Sequence, residues 1–150
     1  MHPSAAHLES QHHGYTITTD PARLDRDLVH GFLASSYWAA GVPRDVVERS
    51  IEHSIVFGVY RGAAQVGFAR VVTDRATFAY LADVFVLPEH RGLGVGGGLV
   101  ATVLTHPELQ GLRRWMLATE DAHGLYERHG FSGLADPSRF MERRSVDYGS

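Results

Sequence analysis

Apolar positions recur with two different periods along this chain, and the change from one to the other divides it. Tyr15-Thr16-Ile17-Thr18-Thr19 is β-branched and aromatic, which predicts a first strand. Asp20 and Pro21 then supply a helix cap and a first-turn proline, so the first helix is predicted to begin there. Leu24, Leu28, Val29, Phe32 and Leu33 recur at helical spacing, and Val46, Val47 and Ile51 do so again after Gly41-Val42-Pro43. From residue 55 the texture becomes strand-like. The runs 55–61, 65–73 and 77–87, separated by short polar connections, predict an antiparallel meander. A glycine-rich stretch from Gly92 to Gly98 leads into Leu99, Val100, Val103 and Leu104, a third helix that His106-Pro107 stops. Residues 113–119 read as a further strand, and Asp121 as the cap of a short helix through His129. Gly130 is placed to end that helix in the left-handed region. Phe131, Phe140 and Met141 predict one or two closing strands.

The order β, α, α, β, β, β, α, β, α and a closing β pair describes a mixed α/β sheet with one parallel crossover. Residues 1–14 carry His2, His7, His12 and His13 among polar residues without apolar periodicity and are read as a mobile tail. Residues 15–146 form the single expected domain, and 147–150 a short C-terminal tail.

Composition narrows the function more than the fold. The chain has 150 residues, 44% hydrophobic and 21% charged, with a formal net charge of −3 and no cysteine. A domain of this size buries roughly 70% of its unfolded surface, so neither disulfides nor a structural metal is needed. All 14 basic residues are arginine, which removes Schiff-base lysine chemistry and the lysine of a Walker loop. Mild acidity argues against nucleic acid, and no apolar run approaches the roughly 20 residues of a membrane span. A cytoplasmic location is expected, without nucleic-acid or membrane partners. A homodimer rests on base rate alone. No His-Glu-x-x-His or similar ligand cluster is present, so no metal is expected, and no Gly-x-Ser-x-Gly elbow supports a hydrolase.

The most informative segment runs from Val84 to Gly97. Glycines between a strand and a helix let backbone N–H groups converge, and the unpaired amides of a helix's first turn favour a phosphate. Gly92-Leu93-Gly94-Val95-Gly96-Gly97 matches the dinucleotide pattern G-x-G-x-x-G, with Glu120 near the distance of a ribose-binding acid. That fold, however, places its loop directly after a strand of a βαβ unit. Here Pro88-Glu89-His90-Arg91 intervene after a meander.

The same segment fits Arg-x-x-Gly-x-Gly through Arg91, Gly94 and Gly96, and Leu125-Tyr126-Glu127-Arg128-His129-Gly130-Phe131 fits Leu-Tyr-x-x-x-Gly-Phe. On these two motifs, in this order of elements, the chain from about Tyr15 to Arg144 resembles the GCN5-related N-acetyltransferase (GNAT) superfamily. The resemblance implies a mostly antiparallel sheet with a splayed central parallel strand pair and helices on both faces. It implies acetyl-CoA as cosubstrate, with the backbone of Val84, Phe85 and Val86 pairing with the pantetheine arm. The amides of Arg91, Gly92, Leu93, Gly94, Val95, Gly96 and Gly97 would hold the pyrophosphate. Gly97 and Gly98 stand where many relatives carry basic or larger residues, and Thr119 where many carry asparagine. Tyr126 is implied as the acid that protonates the departing thiolate.

The base that takes the amine's proton is not isolated. Asp83, just before the pairing stretch, and His123, one turn before Tyr126, are both candidates, and each has an ordinary structural reading as well. Tyr37 and Trp38, between the first two helices, either line the acceptor pocket or pack the helices. The expected reaction is direct transfer of acetyl to a primary amine of a small molecule. The alternative is a CoA-binding regulatory or interaction module without transfer.

Overall fold

Dense β-branched and aromatic residues between Ile55 and Val86 build the three long strands at the centre of the molecule. The structure, a computed structural model, describes residues 7–148. Its strands are β1 (Glu9–His12), β2 (Tyr15–Thr18), β3 (Ile55–Arg61), β4 (Ala64–Thr73), β5 (Phe78–Val86) and β6 (Arg114–Met116). Its helices are α1 (Arg26–Ala34), α2 (Arg44–Glu52), α3 (Val95–Leu104) and α4 (His123–Glu127). The strands lie in the sheet order β1-β2-β3-β4-β5-β6. Every neighbouring pair is antiparallel except β5 and β6, which are parallel across the α3 crossover. The expected mixed sheet, with a parallel pair formed by β5 and the strand after the crossover, is therefore present.

Period-two alternation along the strands feeds two cores. Ile17, Phe57, Val59, Val71 and Leu81 pack with Val95, Leu99 and Val103 of α3 and with Tyr126 of α4. Val56, Phe68 and Phe85 point the other way, onto Val29 and Leu33 of α1 and Val47 and Ile51 of α2. Phe85 is stacked on Phe32, with ring centroids 4.0 Å apart. Among the described residues no helix is long and apolar enough to cross a membrane, and no group of three or more His, Asp or Glu could hold a metal.

Three expectations need correction. Residues 9–12 are not part of a mobile tail: β1 pairs with β2 through a His13-Gly14 turn whose two residues have φ of 48° and 85°. Two positive φ values in a two-residue loop match the right-handed twist of a hairpin, and the strand is polar because it is an exposed edge. His2 lies outside the described residues. The first α-helix begins at Arg26 rather than at Pro21. Asp20 caps only a short 3-10 turn at Pro21–Arg23, and Asp25 caps the helix itself by accepting from the Leu28 amide at 3.1 Å. Finally, no strand follows α4 among the described residues. The segment after Phe131, with Gly133, Asp136 and Pro137 interrupting it, forms only a 3-10 turn at Pro137–Arg139, with Arg114 over the Phe140 ring at 5.0 Å. Met141 is 99% exposed, so it closes no core. The strand predicted over 113–119 and the helix predicted to His129 are both shorter, while Gly130 has the expected left-handed φ of 91°.

Tyr60 is 3% exposed, its hydroxyl buried without a hydrogen-bond partner and its ring lying against Gly58, where a Cβ would come within 2.5 Å of the hydroxyl. An unsatisfied buried hydroxyl costs roughly 1–3 kcal/mol. Tyr60→Phe is therefore expected to stabilise the fold by about 1 kcal/mol in chemical denaturation, where most core substitutions destabilise.

Candidate active site

A one-residue bulge lies in β5 beside the place where the sheet opens. Between Phe68↔Phe85 and Arg70↔Ala82 the register of β4 and β5 shifts, so β5 carries one extra residue there. Asp83 takes the left-handed conformation with φ 56°, which aspartate tolerates better than most residues. β5 and β6 part company just before this bulge. β6 pairs only with Phe78, Ala79 and Tyr80, so the β6-facing edge of Leu81–Val86 has no strand partner. The backbone of Val84, Phe85 and Val86 thus borders a gap, while their side chains pack the two cores. An open strand edge can accept an extended ligand arm by backbone hydrogen bonds.

At the end of β5 the chain turns through Pro88–His90. Arg91 Nε then donates to the Val86 carbonyl at 2.9 Å, tying the loop back to the strand. Gly92 and Gly94 have φ of 78° and 80°, and the first α3 bond runs from Gly98 N to Gly94 O at 3.1 Å. Among the described residues the amides of Gly92, Leu93, Gly94, Val95, Gly96 and Gly97 therefore have no acceptor. Six consecutive free donors with the positive end of a helix dipole behind them are suited to an anion. The Arg91 amide is not one of them, because it donates to the Pro88 carbonyl at 3.2 Å. His12 of β1 covers the first turn. Its Nε2 lies 3.2 Å from Gly94 O, and its ring occupies the space a Cβ on Gly98 would need. The His129 ring stands over Gly97. The glycine at 98 thus leaves room for the His12 imidazole.

Tyr126 borders two cavities, one of about 620 Å³ between β5 and the residues after β6, and one of about 520 Å³ between residues 115–119, α4 and residues 131–134. The larger one, of 620 Å³, is bordered by β5 from Tyr80 to Val84, by residues 118–122, and by Tyr37, Trp38 and Arg70. Tyr126 is 8% exposed, yet its hydroxyl makes no hydrogen bond among the described residues. Burial, followed by the charges of Tyr37 and Asp121, pushes its phenol up to about 12. The phenol is consequently held as a proton donor through the neutral range. His123 borders the smaller cavity and not the larger one, so the structure does not bring it together with Asp83.

Asp83 borders the larger cavity, but both its oxygens are engaged. Arg70 Nε donates to Oδ2 at 2.8 Å and Trp38 Nε1 donates to Oδ1 at 2.9 Å. The Arg70 and Asp83 side chains are only 18% and 12% exposed, and Arg70 also reaches Ser54 Oγ at 3.2 Å. Trp38 is thereby fixed at the cavity rim rather than packed inside a helix interface. Tyr37 is 55% exposed and its hydroxyl accepts from the Glu120 amide at 3.1 Å, bridging the α1–α2 connection to the segment after β6.

Two cavity carboxylates had no site role in the family reading of the sequence. Asp121 was expected to cap α4, but Thr119 Oγ1 takes the Ala122 amide at 3.0 Å instead, and Ala122 stands at the cap position without a side-chain bond. Glu120 and Asp121 make no side-chain hydrogen bond or ion pair among the described residues. The one signal for them was the acidic dipeptide itself, since their isolation depends on how Thr119 closes the turn.

The sequence profile of the acetyltransferase (GNAT) domain matches residues 52–133, which spans β3 to the turn after α4. A protein of Gibberella zeae with an acetyltransferase-like name is 36% identical over 155 aligned residues, covering 88% of this chain and 85% of that one. A crystal structure of an acetyltransferase-like member of the same family from Xanthomonas campestris pv. campestris is 51% identical. It superposes with a TM-score of 0.85, covering 87% of this chain and 93% of that one. An acetyltransferase structure from Clostridium acetobutylicum, solved with acetyl-CoA, is 12% identical and shares the fold with a TM-score of 0.63, over 87% of this chain and 94% of that one. With both motifs inside the matched sequence and the parting of β5 and β6 beside them, the chain belongs to the GCN5-related N-acetyltransferase (GNAT) family and is an acyltransferase.

Proposed function

We propose that the protein transfers the acetyl group of acetyl-CoA directly to a primary amine of a small molecule, in the cytoplasm. The observation that carries this reading is the convergence of three features at one gap. These are the unpaired edge of β5, the six free amides of the following loop, and a buried phenol without a partner. The residues fit the cosubstrate: Gly92 to Gly97 offer donors to its diphosphate, Arg91 shapes their turn, and Val84 to Val86 offer backbone to its amide-bearing arm. Acetyl-CoA supplies an activated thioester, and all other steps fall to the chain.

Tyr126 Oη–H donates a proton to the sulfur as the C–S bond breaks and the C–N bond forms, and the proton lost by the amine nitrogen passes through solvent to restore the Tyr126 phenol. Asp83 is read as a positioning residue, since its two oxygens, accepting from Trp38 and Arg70, hold those side chains in place around the acceptor side of the gap.

A screen of amines with acetyl-CoA, following free thiol, tests the reading. Thiol release that depends on a particular amine is expected, together with a rise in thermal stability on adding CoA. CoA at 100 times its dissociation constant stabilises a fold by about 2.7 kcal/mol. Stabilisation without any amine-dependent release would instead support a CoA-binding module without transfer, and stabilisation by a nicotinamide dinucleotide but not by CoA would replace the cosubstrate.

A further inference from the structure

Resting on the transfer reading above, we infer that the acceptor is a net-cationic amine carrying no carboxylate, held by Glu120 and Asp121 in the larger cavity against Tyr37, Trp38 and Tyr80. The charges around that cavity do not cancel. Arg70 and Asp83 form one close pair at 2.8 Å and contribute little net field. That leaves Glu120 and Asp121, two carboxylates with no arginine or histidine partner among the described residues, beside the unpartnered Tyr126 hydroxyl. Both carboxylates are exposed at the rim of the cavity, and their uncancelled negative field there favours an ammonium over a neutral or zwitterionic guest. Trp38 and Tyr37 stand edge to face with ring centroids 5.1 Å apart, and both are substantially exposed: 40% and 55%. Trp38 is fixed by Asp83 and Tyr37 by the Glu120 amide, so the two rings are a rigid wall for an alkyl or aryl frame and its cation. An α-carboxylate on the guest would have to sit near Glu120 and Asp121, with Arg70 already committed to Asp83 and Ser54.

Matched pairs that differ only in the carboxylate test this directly: 1,5-diaminopentane against lysine, and tyramine against tyrosine. The decarboxylated member is expected to have kcat/KM at least about tenfold higher. In Glu120→Gln and Asp121→Asn the KM for that amine should rise about tenfold, with kcat changed less and the CoA-induced thermal shift unchanged. Equal or better use of the carboxylated partners, or an unchanged KM in both variants, overturns the acceptor class. So does CoA binding with no acetylation of either amine. Loss of CoA binding in the unaltered protein overturns the transfer reading itself and this inference with it.

Discussion

Tyr126→Phe is expected to lower kcat by about a hundredfold or more while leaving the fold and CoA binding intact, because general-acid catalysis contributes typically 10²–10⁴-fold. Two features make this substitution clean. The hydroxyl has no protein partner among the described residues, so its removal breaks no hydrogen bond, and the ring remains packed edge to face against Phe131 at 6.0 Å. The pH dependence follows from the same environment. Burial first, then the charges of Tyr37 and Asp121, raise the phenol to about 12, so the donor stays protonated and its loss does not limit kcat below about pH 10. For stability, a tyrosine in the unfolded chain ionises near pH 10. Between about pH 10 and 12 the unfolded state thus loses a proton that the folded state keeps, and stability falls as pH rises through that window. Tyr60 behaves alike, its phenol also pushed to about 12 by burial. Each tyrosine should contribute on the order of 2 kcal/mol to alkaline unfolding, and each phenylalanine variant should flatten that slope. Equal rates for Tyr126→Phe and the parent protein, with saturating acetyl-CoA and amine, would remove the acid role.

The second large effect is expected at Asp83. Asp83→Ala leaves the mostly buried Arg70 guanidinium without its carboxylate and the Trp38 indole without its acceptor, and it puts a Cβ-bearing residue with no local polar contact at φ 56°. Breaking a buried pair by removing one partner costs about 3–5 kcal/mol, and the left-handed backbone adds about 1 kcal/mol. Chemical denaturation should show a loss of about 3 kcal/mol or more. Asp83→Gly separates the two causes, since glycine relieves the backbone but still strands Arg70, and it should recover only the smaller part. Asp83→Asn keeps an acceptor for Trp38 and a residue that tolerates the bulge, so it should fold well enough for kinetics. If Asp83 positions rather than accepts the proton, Asp83→Asn raises the acceptor KM and keeps the acid limb of the pH–rate profile. A vanished acid limb with an unchanged KM would make Asp83 the base after all.

These two residues show how unevenly the sequence disclosed the site. The loop was legible because Pro88, Gly92, Gly94 and the apolar run after Gly98 each do a local job: stopping β5, taking positive φ, and starting α3. Tyr126 was legible through the Leu-Tyr-x-x-x-Gly-Phe spacing, which places it on a one-and-a-half-turn helix closed by Gly130. Asp83 was legible as a carboxylate beside the strand edge, but not as the bulge in the β4–β5 ladder, because a register shift depends on the partner strand. Arg70 looked like any strand arginine, and its pairing across the sheet has no local signature. The bridge from Tyr37 to the Glu120 amide joins residues 83 positions apart, which no periodicity can report.

Hydrophobic alternation also failed at both ends of the described chain, for opposite reasons. β1 is a real strand whose side chains are mostly exposed, so it shows no apolar face. Phe140 and Met141 are apolar residues that no strand uses. Edge position decides the first case, and Gly133, Asp136 and Pro137 decide the second by turning the chain.

On the proposed reading, the main chain just beyond Pro88 holds the diphosphate of acetyl-CoA beside the open edge of β5. Amide ¹H–¹⁵N spectra recorded during a CoA titration test it most directly. The predicted result is that the largest shifts fall on Gly92, Leu93, Gly94, Val95, Gly96 and Gly97, with a second set on Val84, Phe85 and Val86. Saturable binding that leaves these amides unmoved and shifts another surface would contradict it.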